Sequence, residues 1–307
     1  MSCPNANSPI DISSQKVSGK CDLKCDYNFK YPNSSCVATN RGNYISISYD
    51  TFSSSPVKYN TIDYNVSEIR IYCPSMHSFD GEKTTAELVI IHVSNKGTLP
   101  LLVCVPITNN NSRSSSSAIL STIINNISLN APSDGESTSV SLNDFSLDDF
   151  VPKKPFFSYT GIQPYQPCVG DVNFIVFSPK FSECYISNDS LAKLKKVTVS
   201  SNFSSKKGPL LFINEKGPDQ NTYNDDIYID CKPISKSDDQ ISVPQNNSNS
   251  NSFNTNLTWS SISQNPLFQI IMGSLLFIFI IFIFSMLLKI MSGGSIEFSK
   301  PKNNSNT

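Results

Sequence analysis

From Leu267 to Leu288 the chain reads LFQIIMGSLLFIFIIFIFSMLL, 22 residues without a charged side chain. At about 1.5 Å of rise per residue, a helix of that length crosses the ~30 Å hydrocarbon core of a bilayer. A core helix this apolar would need protein on every side, and only 19 residues follow it. The run is therefore read as a transmembrane helix over residues 266–290, with a short basic tail over 291–307. Trp259, the only tryptophan, lies just ahead of it, where amphipathic rings concentrate at a membrane interface.

Two cues bear on orientation. The Met1 end shows no basic stretch followed by an apolar one, so no cleavable signal peptide is expected and the anchor would enter the membrane late in synthesis. Lys289, Lys300 and Lys302 follow the helix, and no charge lies between Asp239 and its start, which favours a cytoplasmic tail. A domain made in the cytosol and displayed on a virus particle built from internal membranes reconciles the two; a cellular membrane is the alternative.

Ahead of the anchor, residues 233–265 are polar and rich in Ser and Asn, without helical or strand periodicity, and read as a stalk. Residues 1–232 are long enough for one globular core. Their short β-branched and aromatic runs, bounded by turn residues, predict strands at 44–49, 68–72, 86–93, 101–107, 172–177 and 227–229. Helical spacing of Ile119, Leu120, Ile123, Ile124 and Ile127 predicts a helix over 116–128, and a second is expected over 190–196. The fold class is mainly β. A net charge of -1 offers no global attraction for nucleic acid.

The chain has nine cysteines, at 3, 21, 25, 36, 73, 104, 168, 184 and 231, and only two histidines, His77 and His92. No zinc-finger spacing exists, so disulfides with one thiol left over are expected. Cys21 and Cys25 could instead serve as metal or redox ligands.

Six blocks carry a resemblance. Ser8-Pro9-Ile10-Asp11-Ile12 is similar to the SPI(N/D)I opening of α-carbonic anhydrases. His77 to Gly81, then Ala86-Glu87-Leu88 and His92, resemble that family's EHTVDG…AELHLVHWN stretch. Tyr159 to Cys168 resembles YPGSLTTPPC, and Phe174 to Phe177 resembles the WIVF strand after it. Ser187 to Lys195 resembles SSEQLAKF, and Gly217 to Gln220 resembles RPAQ. The order matches across residues 3–231, which implies a central twisted, mostly antiparallel sheet with a few short helices.

Family chemistry uses three neutral imidazoles on zinc, leaving a fourth position where bound water drops to a pKa of about 7. The resemblance places Arg70, Tyr72 and Val89 at those three ligands, and none carries an imidazole. It places Met76 and Pro164 where a Glu and a Thr orient the zinc hydroxide. The resemblance therefore implies an acatalytic member with no metal and no cofactor. His77, Glu87 and Tyr159 match a buried polar network near the site, and His92 matches a buried non-ligand histidine. Cys3 and Cys168 stand where extracellular members carry a disulfide; pairing among the other cysteines stays open.

Such a chain resembles the poxvirus-type virion envelope members that bind cell surfaces. The expected function is non-enzymatic attachment to a host ligand, such as a glycosaminoglycan or a protein receptor. The alternatives are a structural virion-membrane protein without a host ligand and, further off, a zinc enzyme. Lys193, Lys195, Lys196, Lys206 and Lys207 form a candidate polyanion site in a stretch, 190–214, that has no acidic residue. Arg70 could meet a ligand anion or be neutralised by an internal acid.

Overall fold

A computed structural model describes residues 3–21 and 24–219. The stalk, the run Leu267–Leu288, the basic tail, the expected strand at 227–229 and Cys231 lie outside the described residues. Among the described residues no helix is long and apolar enough to cross a membrane.

In chain order the elements are β1 (Asp11–Ile12), β2 (Val17–Lys20), β3 (Tyr27–Phe29), β4 (Val37–Asn40), β5 (Ile45–Ile47) and β6 (Val57–Tyr59). Next come β7 (Ile62–Tyr72), β8 (Ser78–Phe79), β9 (Glu82–Lys83), β10 (Ala86–Val93), β11 (Leu101–Asn109) and α1 (Ser115–Asn130). The rest are β12 (Ser137–Ser139), β13 (Phe156–Ile162), β14 (Asp171–Phe177), β15 (Tyr185–Ile186), α2 (Asn188–Val197) and β16 (Leu211–Asn214). Both expected helices are present, each slightly longer than its periodicity indicated: capped by Ser114 and Ser187, they start one and two residues earlier, and they run two residues and one residue further.

The main sheet runs β12-β4-β5-β7-β10-β11-β14-β13-β16-β2, and β1, β8 and β9 form a small second sheet. Most pairings are antiparallel, but β11–β14 and β16–β2 are parallel, so the sheet is mixed. Its centre is apolar on both faces, the pattern expected when neither face meets water. In β10, Leu88 and Ile90 enter one core, and Val89 and Ile91 enter the other. β11 and β14 alternate in the same way, with Val103 and Ile175 on one side and Leu102 and Phe174 on the other. The first core is closed by Leu120, Ile123, Ile124 and Ile127 of α1 and by Leu194 of α2. The second lies beneath the candidate site.

Cys3 and Cys168 are joined by a disulfide, as the resemblance implied, and Cys21 is joined to Cys25. The wider expectation of disulfides with a single thiol left over needs correction. Cys36, Cys73, Cys104 and Cys184 are all free and buried. They pack as small apolar side chains: Cys104 lies in the second core, and the other three lie in the first.

Candidate functional site

Strands β7 and β10 lie side by side in antiparallel register, with Val89 opposite Arg70 and Glu87 opposite Tyr72. Residues two apart on a strand share a face. Arg70 and Tyr72 therefore point the same way as Val89, and Tyr72 and Val89 both belong to the second core. The structure thus brings together the three positions that the resemblance assigns to zinc.

Arg70 fills the space there. Its Nε and one terminal nitrogen donate to Glu68 Oε2 at 2.8 and 2.6 Å, and the other terminal nitrogen donates to the Tyr72 hydroxyl at 3.2 Å. The guanidinium lies 4.7 Å from the ring centre of Tyr44 and 4.2 Å from that of Tyr165. Such faces attract cations through the ring quadrupole. Burial works to lower the Arg70 pKa, but the Tyr72 oxygen and the Glu68 carboxylate outweigh it, so the group is held more firmly protonated than usual. Burial pushes the Tyr72 phenol up, against the pull of Arg70, so it stays neutral. Phe203 closes over Tyr72 edge-on at 5.3 Å.

Zinc does not fit these residues. A fixed cation, a neutral phenol and an isopropyl group replace three imidazoles, and the cation repels a metal ion. Met76 is buried in the second core, and Pro164 offers its carbonyl to the backbone N–H of Cys3 at 3.2 Å. Neither side chain can orient a hydroxide by hydrogen bonding.

Glu68 holds the arrangement. The Arg70 and Glu68 side chains are 14% and 24% exposed, so their pairing is largely withdrawn from water. Glu68→Gln is expected to destabilise the domain by about 1–3 kcal/mol, the cost of leaving buried donors poorly paired. An unchanged thermal unfolding midpoint would count against it. Neither Glu68 nor the two tyrosines stood out in the sequence. The spacing of Glu68 and Arg70 on one strand was the available signal, whereas Tyr44 and Tyr165 come from distant segments.

Beside this plug, His77, Glu87 and Tyr159 form the expected polar network, with all three buried. Glu87 accepts from His77 Nδ1 at 2.7 Å and from the His77 backbone N–H at 2.9 Å. With Nδ1 donating, a neutral imidazole accepts at Nε2 from the Tyr159 hydroxyl, 2.7 Å away. Burial favours the neutral acid at Glu87, but the His77 contacts outweigh it and hold the carboxyl below its ordinary range. Cys104 joins them: His77, Glu87 and Cys104 each offer a ligand atom, and those atoms lie within 4.8 Å of one another. Among the described residues this is the only such group. Both imidazole nitrogens are already engaged, and burial raises the Cys104 thiol well above its usual pKa, which disfavours the thiolate a metal requires.

His92 stands apart, buried, with Nδ1 donating to the Leu101 carbonyl at 3.2 Å and Nε2 facing the Tyr31 hydroxyl at 2.9 Å. The lysine cluster divides between two elements. Lys193, Lys195 and Lys196 belong to α2, whereas Lys206 lies on the segment that bridges to Ile10, with Lys207 beside it. Lys193 is engaged, donating to Asp189 at 2.6 Å and to Asn125 at 2.7 Å. The other four make no ion pair among the described residues.

Residues 2–216 match the family model described as eukaryotic-type carbonic anhydrase. No curated protein matches the sequence. Among solved structures, the α-carbonic anhydrase of Thermovibrio ammonificans with sulfanilamide is similar, with a TM-score of 0.56 at 17% identity over 68% of this chain and 87% of that one. Dioscorin complexed with ascorbate gives 0.55 at 17% identity, over 69% and 87%. A carbonic anhydrase of Chlamydomonas reinhardtii in complex with acetazolamide gives 0.56 at 15% identity, over 69% and 91%. At such identities these likenesses establish the fold alone.

Proposed function

This chain belongs to the eukaryotic-type carbonic anhydrase family, and from that membership we propose that it is a non-enzymatic, membrane-anchored attachment protein. Its ligand is a sulfated glycosaminoglycan on a host cell, and its setting is a virion envelope. One observation carries the loss of catalysis. A guanidinium locked by Glu68, Tyr44 and Tyr165 stands where the family resemblance places the first zinc ligand. Without a metal-bound water, hydration of CO2 has no nucleophile from this site. The fold remains as a rigid scaffold whose outer surface is free for recognition.

Anchoring rests on the apolar run Leu267–Leu288, and ligand class on the lysines of α2 and the segment around Lys206. Fixed cations on a surface attract polyanions and speed their encounter. The net charge of -1 and the engagement of Lys193 favour a second reading, a structural protein of a virion membrane without a host ligand.

The test uses the full chain purified in detergent. It is expected to contain no stoichiometric zinc, to show no sulfonamide-sensitive CO2 hydration, and to bind cells in a way that enzymatic removal of glycosaminoglycans reduces at least about tenfold. One equivalent of zinc with sulfonamide-sensitive turnover would overturn the proposal. Absence of cell binding by a metal-free, inactive protein would select the structural reading.

A further inference from the structure

Lys195 belongs to the expected basic cluster, but its neighbour across space is a residue that the sequence did not group with it. A cavity of about 530 Å³ opens between α2 and the turn from β9 to β10, and both Lys195 and Lys83 line it. No acidic residue is among its lining residues. The Thr85 and Ser200 hydroxyls on its wall make no hydrogen bond within the described residues, so they are free to donate. Leu191 and Pro74 supply an apolar wall.

Lys195 makes no ion pair, and Lys83 is tethered only to the carbonyl of Met76, leaving ammonium protons for a ligand. The carboxylates closest in effect to Lys83, Glu87 and Asp11, are committed elsewhere. Glu87 is held by His77, and Asp11 accepts from Lys16, Ser78 and the Gly81 N–H. Burial lowers the Lys83 pKa, which means that this ammonium has lost hydration an anion would replace.

We propose that this cavity is an oxyanion site that takes the sulfate ester of a sulfated sugar, with Lys83 and Lys195 as its cations, Thr85 and Ser200 as neutral donors, and Leu191 and Pro74 against the sugar ring. The assignment of a sugar rests on the attachment reading above; the oxyanion chemistry does not. Two ammonium groups joined by neutral donors suit a tetrahedral anion, because charge-assisted hydrogen bonds are stronger than neutral ones.

The experiment measures full-length protein in detergent against a fluorescent chondroitin sulfate tetrasaccharide, its desulfated counterpart and inorganic sulfate. Wild type is expected to bind the sulfated tetrasaccharide and to ignore the desulfated one. The double variant Lys83→Gln/Lys195→Gln should bind at least about tenfold more weakly, the loss expected on removing two charge-assisted contacts. Lys58→Gln, an equal change of charge on β6, should bind as wild type does. Should the double variant fail to fold, Ser200→Asp keeps both lysines, places a carboxylate at the exposed rim and should weaken binding as strongly. Equal binding by wild type and a folded cavity variant overturns the site and leaves attachment standing. If the tetrasaccharide does not bind, but sulfate raises the unfolding midpoint of wild type and not of the double variant, the oxyanion site holds and its assignment to a sulfated sugar falls. If neither probe responds, the site is overturned.

Discussion

Replacing Glu87 with alanine is expected to destabilise the domain by about 2–6 kcal/mol, because two buried donors lose their acceptor at about 1–3 kcal/mol each. Glu87 and His77 are both 0% exposed, so water cannot replace the lost oxygen atoms. The alanine variant leaves the His77 Nδ1–H and backbone N–H without acceptors. Around them pack Tyr159 and Phe174, whose rings stack at 4.4 Å. Glu87→Gln keeps one acceptor oxygen and should cost less, about 1–3 kcal/mol. Urea unfolding of the full chain reads both values. Losses below about 1 kcal/mol for the alanine variant would mean that the network is dispensable. The same assay tests the cluster for metal. A chelator should leave the unfolding midpoint of wild type unchanged, and a large fall would assign an ion to His77, Glu87 and Cys104.

Acid is expected to remove about 3 kcal/mol of stability through His92 alone, because burial lowers this imidazole from 6.5 to about 4 in the folded protein. Its hydrogen bond to Leu101 opposes the shift and is outweighed. Below 6.5 the unfolded chain takes up a proton that the folded one refuses, so the unfolded state binds more protons and stability falls. The contribution is therefore complete above 6.5, declines as the pH drops toward 4, and changes no further below it. Burial explains the refusal: His92 is fully buried, so its imidazolium would lose the hydration that it has in the unfolded chain, and the bond from Nδ1 to the Leu101 carbonyl is too little to offset that loss. At still lower pH the depressed carboxyls of Glu87, Asp11 and Asp50 act in the same direction, whereas Asp149, pushed up by burial, opposes them. His92→Gln should flatten the unfolding free energy between pH 6.5 and 4. A slope in the variant equal to that of wild type would show that the proton is taken up elsewhere.

Much of the fold was legible because its signals are local or ordered along the chain. The Ile and Leu spacing around Ile123 marks one face of α1, and the unbroken apolar runs of β10 and β11 mark strands covered on both sides. Six blocks in a fixed order pointed to the family that the match over residues 2–216 establishes. The cysteines were less legible. Counting them suggested oxidation, yet four of the described ones serve as apolar filling, which depends on where each strand buries its alternate residues.

Histidine scarcity is a property of composition, and no packing can alter it: with His77 and His92 alone, three imidazoles cannot converge on one ion. What occupies the vacated space was a tertiary matter. Glu68 and Arg70 share a strand face, but Tyr44 and Tyr165 reach the guanidinium from remote segments. Likewise Lys83 and Lys195, remote in sequence, line one cavity between α2 and the β9–β10 turn. Backbone periodicity dictates which way neighbouring side chains point, and that can be read along the chain. Which distant side chains then meet follows from strand register and helix docking, and those are settled only when the whole core packs.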